Sequence, residues 1–198
     1  MLPDRNTAEK ELEIAAEMNP GPWIMHSSNV AHAAELIAVA CGLDSEKAYI
    51  LGLLHDIGRR ESINAVRHIP DGYRYTMSKG WDEAARICLT HSFPIRDINA
   101  LIGKMDMSSQ DRDFVSAYLE KAEYDDYDLI VILCDSIAAA NGFCILEKRF
   151  IDTAIRYGVY SFLSERWRKY YEYKAYFEQK CGKNLYSLLP GIENCVYW

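Results

Sequence analysis

The sequence predicts an all-α fold, and three observations support that prediction. Apolar residues recur at helical spacing along nearly the whole chain, and no stretch shows the period-two alternation and hairpin turns of paired strands. Turn signals separate the helical stretches, at Gly21-Pro22, Cys41-Gly42, Gly58 and Asn141-Gly142. The 198 residues are 49% hydrophobic and 26% charged, which is enough to bury one core. We therefore expect one compact multi-helix domain over residues 1–198.

The first half of the chain contains four predicted helices, with bounds good to a few residues. Charged and apolar residues are mixed over 6–18, and the helix over 23–41 begins after the Gly-Pro pair and stops at Gly42. The helix over 45–56 carries an apolar run, and the one over 80–91 ends before Pro94. Segment 59–79 is polar and rich in tyrosine, and it is the least regular part of the chain.

The second half contains five predicted helices, over 94–103, 109–122, 125–140, 144–157 and 160–180. The helix over 125–140 is apolar almost all the way round, which indicates burial. The last helix interleaves basic and aromatic residues as binders of single-stranded nucleic acid do, but its aromatic residues follow one side of an amphipathic helix. We interpret that side as core packing or a dimer face, so a homodimer is a candidate state. Residues 182–198 are expected to form a short helix and a tail.

Net charge and cysteine spacing limit which partners and which cellular compartment are expected. A formal charge of −7 argues against a stable nucleic-acid complex and favours a small partner, although it is compatible with a local basic pocket. The six cysteines form no C-x-x-C pair, which is typical of reduced thiols in a cytoplasmic protein. Residues 1–20 hold no continuous apolar segment, so we expect no signal peptide and no membrane span.

Two histidines in the second helix differ in the direction that they face. A helix advances by about 100° per residue, and His26 falls on the same side as Val30, Ala33 and Ile37. His26 is therefore predicted to point inward. His32 falls on the opposite side, near polar residues, and we interpret it as a surface residue without a role in a site.

An ionisable pair, His55-Asp56, follows the apolar run at 50–54. His55 lies four residues after Leu51, on the core-facing side of its helix. A stop at Gly58 would allow Asp56 to turn toward the same point. A buried histidine and aspartate destabilise a fold by several kcal/mol unless partners compensate them, so the partners must come from elsewhere in the chain.

Two more polar side chains are predicted to face inward. Asp135 interrupts a helix that is otherwise apolar, so its carboxylate needs a compensating partner. His91 shares a face with Ala84 and Ile87 just before Pro94. A single histidine on an apolar face is usually a hydrogen-bonded core residue, but several such residues on buried helices indicate a shared ligand.

Together these side chains predict a metal site between the central helices. Two imidazoles and two carboxylates arrive from three buried helices. Mixed imidazole and carboxylate ligands suit a divalent ion such as Mn, Fe, Co, Ni, Mg or Zn. A structural zinc site is disfavoured because the chain has no pair of closely spaced thiolates.

The order and spacing of these residues resemble a known family. His26, the pair His55-Asp56 in "GLLHDIG" and Asp135 resemble the H…HD…D signature of HD-domain metal-dependent phosphohydrolases. The stretches "HSSNVAHAAELIA", "GLDSEKAYILGLLHDIGRR" and "MSKGWDEAARICLTH" are similar to segments of that family, and the resemblance spans about residues 22–141. It implies an all-helical HD domain, with residues 142–198 as a C-terminal helical extension packed on it.

The resemblance implies that His26, His55, Asp56 and Asp135 are the metal ligands. Members of the family with two metals add two histidines between the HD pair and the last aspartate. His91 matches one of them, but Thr76 stands in "TMSKG" where the other is expected. We therefore expect one metal ion per chain. His68, in "RHIPDG", lies at a different spacing, and its role stays open.

Basic residues after the HD pair are candidates for binding phosphate. Arg59 and Arg60, together with His68, Lys79 and Arg67, lie nearby in sequence and would neutralise a phosphate group and its transition state. The alternative is that the arginines cap the preceding helix or lie in solvent. His91 is interpreted as a further ligand, a substrate contact, a proton donor or a partner of Asp56.

Three classes of function are compatible with this site. The first is a phosphohydrolase, either a phosphomonoesterase or a phosphodiesterase, in which a metal-activated water attacks a nucleotide or another small phosphate ester, with Asp56, His91 and Arg59 as catalytic residues. The second is a di-iron oxygenase of the HD type, which the single expected metal disfavours. The third is a metal or nucleotide sensor without catalysis. The sequence does not identify the substrate.

Overall fold

The all-α prediction is confirmed. The computed structural model describes residues 1–61 and 65–195, and over those residues it contains nine α-helices. They are α1 Arg5–Met18, α2 Pro22–Cys41, α3 Ser45–Leu54, α4 His68–Ser78, α5 Asp82–Thr90, α6 Ser109–Lys121, α7 Asp126–Ile137, α8 Leu146–Tyr157 and α9 Leu163–Cys181. Short 3-10 turns lie at Ile57–Glu61, Ile98–Ala100, Leu185–Leu188 and Ile192–Cys195.

The segment over 59–79 is more regular than we expected. It contains the 3-10 turn at Ile57–Glu61 and the whole of α4, while residues 62–64 lie outside the described part. The interpretation of this segment as irregular was wrong because the buried face of α4 is mostly polar or small. That face contains His68, Gly72 and Thr76 beside Ile69 and Pro70, and a proline and a glycine within three residues disfavour a helix in the sequence.

Two other predictions of secondary structure are corrected. The helix expected over 94–103 is only the 3-10 turn at Ile98–Ala100, where the Asp97 side chain accepts a hydrogen bond from the Asn99 backbone. Helix α7 stops at Ile137, earlier than residue 140, because the chain then forms an antiparallel hairpin. Its strands are β1 Ala138–Ala139 and β2 Gly142–Phe143, paired Ala138 to Phe143 and Ala139 to Gly142.

Close packing of α2 against α3 brings the first two site histidines together. A Cβ atom on Gly52 of α3 would lie 2.9 Å from the Ala31 Cα atom of α2, so only glycine permits this approach. As a result, the rings of His26 and His55 lie with their centroids 5.3 Å apart.

A buried carboxylate ties α7 to α5. Asp128 is fully buried and accepts a hydrogen bond of 2.7 Å from the Thr90 hydroxyl and another from Arg86. It also closes a capping box with Asp125 at the start of α7. These contacts fix α7, which carries Asp135, against α5, which is followed directly by His91.

The C-terminal helices pack onto the same core. Helix α9 contacts α2 and α7, and α8 contacts α7. Tyr170 and Phe177 of α9 are buried, and Trp167 stacks on Phe150 of α8 with a centroid distance of 5.3 Å. The aromatic side of α9 is therefore core packing, as one of our two interpretations held, and a homodimer stays a prediction.

Two expectations about the chain as a whole are supported. The thiols of Cys41, Cys88, Cys134, Cys144 and Cys181 are unpaired by disulfides, and Cys88 and Cys134 are buried. Over residues 1–61 and 65–195, no helix combines the length and the apolar character that a membrane span needs.

Candidate metal centre

Side chains from four helices and from the residues that follow two others line a cleft of about 290 Å³, which we call the central cleft. Its walls come from α2, α4, α7 and α8 and from the residues that follow α3 and α5. Two groups of three side chains place possible metal-ligand atoms there, with the atoms of each group within 4.8 Å of one another. The central cleft is thus the site that the buried polar residues predicted.

The first group contains His26, His55 and Asp135. The His26 Nε2 atom lies 2.9 Å from the Asp135 Oδ1 atom, and the His55 Nε2 atom lies 3.8 Å from the same oxygen. His55 is fully buried, whereas the side chains of His26 and Asp135 retain 14% and 25% of their exposure. This group therefore opens toward the cleft on one side.

The second group contains Asp56, His68 and His91. The Asp56 Oδ1 atom lies 3.1 Å from the His68 Nε2 atom and 3.6 Å from the His91 Nε2 atom. All three side chains are buried. The sequence left the role of His68 open, and the structure places its Nε2 atom beside Asp56 and 3.4 Å from the His91 Nε2 atom.

Asp56 joins the two groups. Its Oδ2 atom lies 3.8 Å from the His55 Nε2 atom, while its Oδ1 atom faces His68 and His91. The rings of His55 and His91 lie 5.0 Å apart. One carboxylate therefore faces both groups, with one oxygen toward each.

Backbone carbonyls fix the tautomers of three imidazoles. The Nδ1–H groups of His55, His68 and His91 donate to the carbonyl oxygens of Gly52, Ala65 and Ile87, at 2.7, 2.8 and 3.0 Å. Because a carbonyl oxygen only accepts, each Nδ1 carries the proton and each Nε2 presents a lone pair to the cleft. This arrangement is typical of histidines that bind metal through Nε2.

The His55 Nε2 atom shows that these lone pairs fit a cation. It is buried and has no hydrogen-bond partner among the described residues. Its neighbours at 3.8 Å are carboxylate oxygens of Asp56 and Asp135, which are acceptors as well. Buried acceptors that face only acceptors are unfavourable unless a cation lies between them, so this donor set fits a divalent metal.

Burial and mutual charge set the ionisation of the centre. Burial lowers the pKa of His55 to about 4 and the pKa of His68 to about 3, so both imidazoles are neutral at pH 7. Burial alone would raise the pKa of Asp56, but Arg59 and then the imidazoles hold it well below its usual range. Burial likewise opposes ionisation of Asp135, and the hydrogen bond from His26 lowers its pKa. Both carboxylates are therefore charged.

Gly58 allows α4 to pack closely enough for His68 to lie beside the pair His55-Asp56. A Cβ atom on Gly58 would overlap the His68 carbonyl oxygen and the Gly72 nitrogen, and it would lie 2.9 Å from the Gly72 Cα atom. Only glycine allows α4 to approach the 3-10 turn so closely. Asp106 orders the residues just before α4, because its carboxylate accepts hydrogen bonds of 2.7 to 2.9 Å from the backbone of residues 65–67.

Comparison with known proteins agrees with this geometry. The family model of the HD domain matches residues 23–140 of this chain. The chain belongs to the HD-domain family. No curated protein and no solved structure matched the chain in these comparisons. The matched residues of this HD domain contain both groups of the centre and end before α8 and α9.

The cations predicted for phosphate binding divide into two sets. Arg59 lines the central cleft, and its Nε–H donates to the Asp56 Oδ2 atom at 2.6 Å. Arg60 is turned away from the cleft, is buried and pairs with Glu11 at 3.2 Å. Lys79 also pairs with Glu11, at 3.0 Å.

Arg60 and Lys79 therefore lie outside the lining of the central cleft, paired with the buried Glu11 carboxylate of α1, and their role as substrate contacts stays a prediction. Arg67 is exposed and pairs with Asp71 at 3.0 Å, also outside the lining of the cleft. His32 is exposed, as the helical position predicted.

The sequence did not identify Arg149 of α8, which lines the central cleft. Its Nη2 group donates to the Asp135 carbonyl oxygen at 3.1 Å and to the Ala138 carbonyl oxygen at 3.4 Å. The available signal was helical spacing, since Arg149 lies three residues after the buried Leu146.

Proposed function

We propose that this HD domain is a metal-dependent phosphohydrolase that acts on a nucleotide or another small phosphate ester. The observation that carries the proposal is the set of Nε2 lone pairs and ionised carboxylates around His55, whose Nε2 atom has no protein partner among the described residues. Such a centre calls for divalent cations. Arg59 at the mouth of the cleft supports an anionic substrate.

We propose two ions for each chain, where the sequence favoured one. That expectation rested on Thr76, whose hydroxyl instead donates to the Gly72 carbonyl oxygen within α4 at 2.7 Å. His68 supplies the imidazole from the start of the same helix. His26, His55 and Asp135 would hold one ion, His68 and His91 the other, and Asp56 would face both.

The chain's own residues prepare the site for phosphoryl transfer. A divalent ion bound here would lower the pKa of a water molecule toward neutrality and polarise a phosphoryl oxygen. Arg59 would orient the phosphate, and Asp56 would stay ionised beside it because its pKa is held low. We keep His91 as a ligand in the second group, since its Nε2 lone pair faces Asp56.

Metal analysis together with an activity panel tests the proposal. The purified protein would be assayed for release of orthophosphate from nucleotides and an aryl phosphate with Mn, Co, Ni, Fe, Zn or Mg. We expect activity with at least one metal. His55→Ala and Asp135→Asn should lose metal and lower the activity by about a hundredfold or more.

Two matched controls separate loss of the site from general damage. His32 is an exposed histidine of α2, and Asp152 is an exposed aspartate of α8. His32→Ala and Asp152→Asn should keep the metal content and the activity of the wild type. Wild-type metal content in His55→Ala would contradict the assignment. Bound metal without turnover of any ester would favour the sensor.

The second group also restores the di-iron oxygenase as a candidate. The objection to that function was the missing histidine, and His68 lies 3.1 Å from Asp56. Two irons per chain, with oxygen consumption and no release of orthophosphate, would favour the oxygenase over the hydrolase.

The remaining expectations about the whole chain are proposals. We propose that residues 1–198 act as one domain, in which the extension over 142–198 packs on the HD-type part. We also propose that the protein works in the cytoplasm, with a small phosphorylated partner and without a stable nucleic-acid complex. Fractionation of cells and the mass of the purified protein in solution test the compartment and the oligomeric state.

A further inference from the structure

A second cavity of about 200 Å³ adjoins the central cleft, and we call it the side cavity. The two cavities share Ser92, Asp135 and Arg149 in their walls. The rest of the side cavity is formed mainly by α8 and α9, which lie beyond the residues that match the HD domain. A molecule bound at the metal centre would therefore reach the C-terminal extension through this opening.

Arg166 of α9 brings a positive charge to the wall of the side cavity. It is 7% exposed. Its Nη1 group donates to the carbonyl oxygens of Ser92 and Ala100, both at 3.1 Å, and its Nη2 group donates to the Tyr170 hydroxyl at 3.3 Å. Over residues 1–61 and 65–195, no carboxylate forms an ion pair with it.

Arg149 supplies a second positive charge, at the junction of the two cavities. Its contacts are the carbonyl oxygens of Asp135 and Ala138. As with Arg166, no carboxylate in the described part of the chain forms an ion pair with it. The carbonyl contacts fix the direction of each guanidinium group without neutralising its charge.

Arg60 shows how this protein compensates a buried arginine elsewhere. It is 7% exposed, pairs with Glu11 at 3.2 Å and lies over the Tyr75 ring, 3.9 Å from its centroid. Burial of a guanidinium group without such a counter-charge is unfavourable. In a chain with a net charge of −7, Arg149 and Arg166 line one cavity without forming an ion pair with any described carboxylate, although Asp135 lies in the same wall. Two such guanidinium groups are suited to bind an anion.

We propose that Arg149 and Arg166 bind a second phosphoryl group of the substrate in the side cavity. The inference rests on the proposed function, because the first phosphoryl group would lie at the metal centre. Arginine suits a phosphate because its planar donors match two phosphate oxygens at once. Leu101, Ile102 and Trp167 form an apolar part of the wall, which suits the carbon skeleton of the ester.

The alternative is that both arginines are purely structural. Arg149 contacts carbonyl groups at the end of α7, as a helix C-cap does. A capping role would lower the melting temperature when the arginine is removed, and it would leave the preference between two ligands unchanged. Selectivity between ligands therefore separates the two interpretations.

The experiment compares ligands that differ by one phosphoryl group. Isothermal titration calorimetry on the metal-loaded protein would measure fructose 1,6-bisphosphate against fructose 6-phosphate, and adenosine 3′,5′-bisphosphate against adenosine 5′-monophosphate. We expect the bisphosphate to bind at least about tenfold more tightly in one pair or both, as charge-assisted hydrogen bonds to a second phosphate allow. Orthophosphate release would be followed in parallel.

Four variants test the two arginines. In Arg149→Met and Arg166→Met the advantage of the bisphosphate should fall to about threefold or less, and Arg166→Lys should keep part of it. Arg168→Met is the matched control, since Arg168 is an exposed arginine of α9 outside the cavity wall. Melting curves identify any variant that does not fold. If Arg166→Met does not fold, Arg149→Met and Arg166→Lys still test the proposal.

The outcomes distinguish this proposal from the proposed function. It is overturned if neither bisphosphate binds more tightly than its monophosphate, or if the advantage survives in both methionine variants. An arginine-dependent advantage without any release of orthophosphate would support the side cavity as an anion site and count against hydrolysis. Release of orthophosphate from monophosphates, with no effect of either arginine, would support hydrolysis alone.

Discussion

The His68 Nε2 atom lies 3.1 Å from the Asp56 Oδ1 atom, although the intervening residues include a 3-10 turn and a polar segment. The other oxygen of Asp56 faces His55 at 3.8 Å. The Asp56 carboxylate therefore directs one oxygen toward each group of the centre. Under the proposed assignment, we expect the number of bound ions to depend on His68.

Removal of His68 should halve the metal content. We expect about two ions per wild-type chain and about one in His68→Ala, because the second group would keep only Asp56 and His91 as ligands. Mass spectrometry of the metals, normalised to protein concentration, measures this ratio. His32→Ala is the control, and equal metal content in wild type and His68→Ala would contradict the assignment.

Substitution of Gly58, which is not itself a ligand, should displace His68 and so disturb the group Asp56, His68 and His91. In Gly58→Ala the new Cβ atom meets the backbone of α4, which cannot move aside as a flexible side chain can. We expect a loss of about 2 kcal/mol in the free energy of unfolding, typical of overpacking, together with weaker binding of the second ion. Urea denaturation and metal titration measure the two effects.

Gly21→Ala provides the control for that substitution. A Cβ atom at Gly21 would meet only the Trp23 side chain, at 3.2 Å, and the Gly21 backbone is extended. This variant should keep both the stability and the metal content. If Gly58→Ala behaved in the same way, the close approach of α4 would not be what positions His68.

Much of the first group could be predicted from the sequence. His26, His55 and Asp135 lie on helices whose apolar residues define an inward face, so a polar residue at the same helical angle stands out. Asp56 was identified because it adjoins His55. Helical phase and the HD pair together were enough to place these four side chains at one point.

His68 and the two cavity arginines required the structure. His68 reaches the centre only because Gly58 and Gly72 let two backbones meet, a contact that no periodic pattern records. Arg166 follows the spacing of Leu163 and Tyr170 on the buried side of α9, but its lack of a carboxylate partner depends on how distant segments pack. The pairing of Arg60 and Lys79 with Glu11 was not predicted, because Glu11 lies far from them in sequence.

Arg59 should affect turnover more than metal binding. Its guanidinium group lines the central cleft beside Asp56, so Arg59→Met removes a donor for the phosphate and its transition state. We expect kcat/KM to fall by about a hundredfold, as for loss of one such donor, with the metal content preserved. Steady-state kinetics on the best substrate of the panel, with metal analysis of the same samples, tests this.

The matched control for Arg59 is Arg67→Met. Arg67 is exposed and pairs with Asp71 outside the cleft, so its removal should leave kcat/KM unchanged. Loss of metal in Arg59→Met would show instead that Arg59 positions Asp56 for metal binding. Unchanged kinetics would show that Arg59 has no role in the reaction.

Glu11 should give a stability that depends on pH. Burial alone would raise its pKa, but hydrogen bonds from Tyr75, Lys79 and Arg60 lower it below the ordinary value of 4.5. A lowered pKa in the folded state means that the carboxylate stabilises the fold above the unfolded pKa, and that this stabilisation is lost as pH falls through the folded pKa. Glu11→Gln should therefore be less stable than wild type at pH 7, by about 3 kcal/mol, since Arg60 is left buried without its partner.

The difference in unfolding free energy should narrow at acidic pH. Urea denaturation of wild type and Glu11→Gln would be measured from pH 7 down to about pH 2.5, well below the ordinary carboxyl pKa. The gap should stay constant until the pH approaches that value and then shrink, because Glu11 of the wild type becomes protonated. Glu13→Gln, which alters an exposed carboxylate of the same helix paired with Lys10 at 3.1 Å, should differ little from wild type at any pH. A gap that widened toward low pH would show that Glu11 does not act as the counter-charge of Arg60.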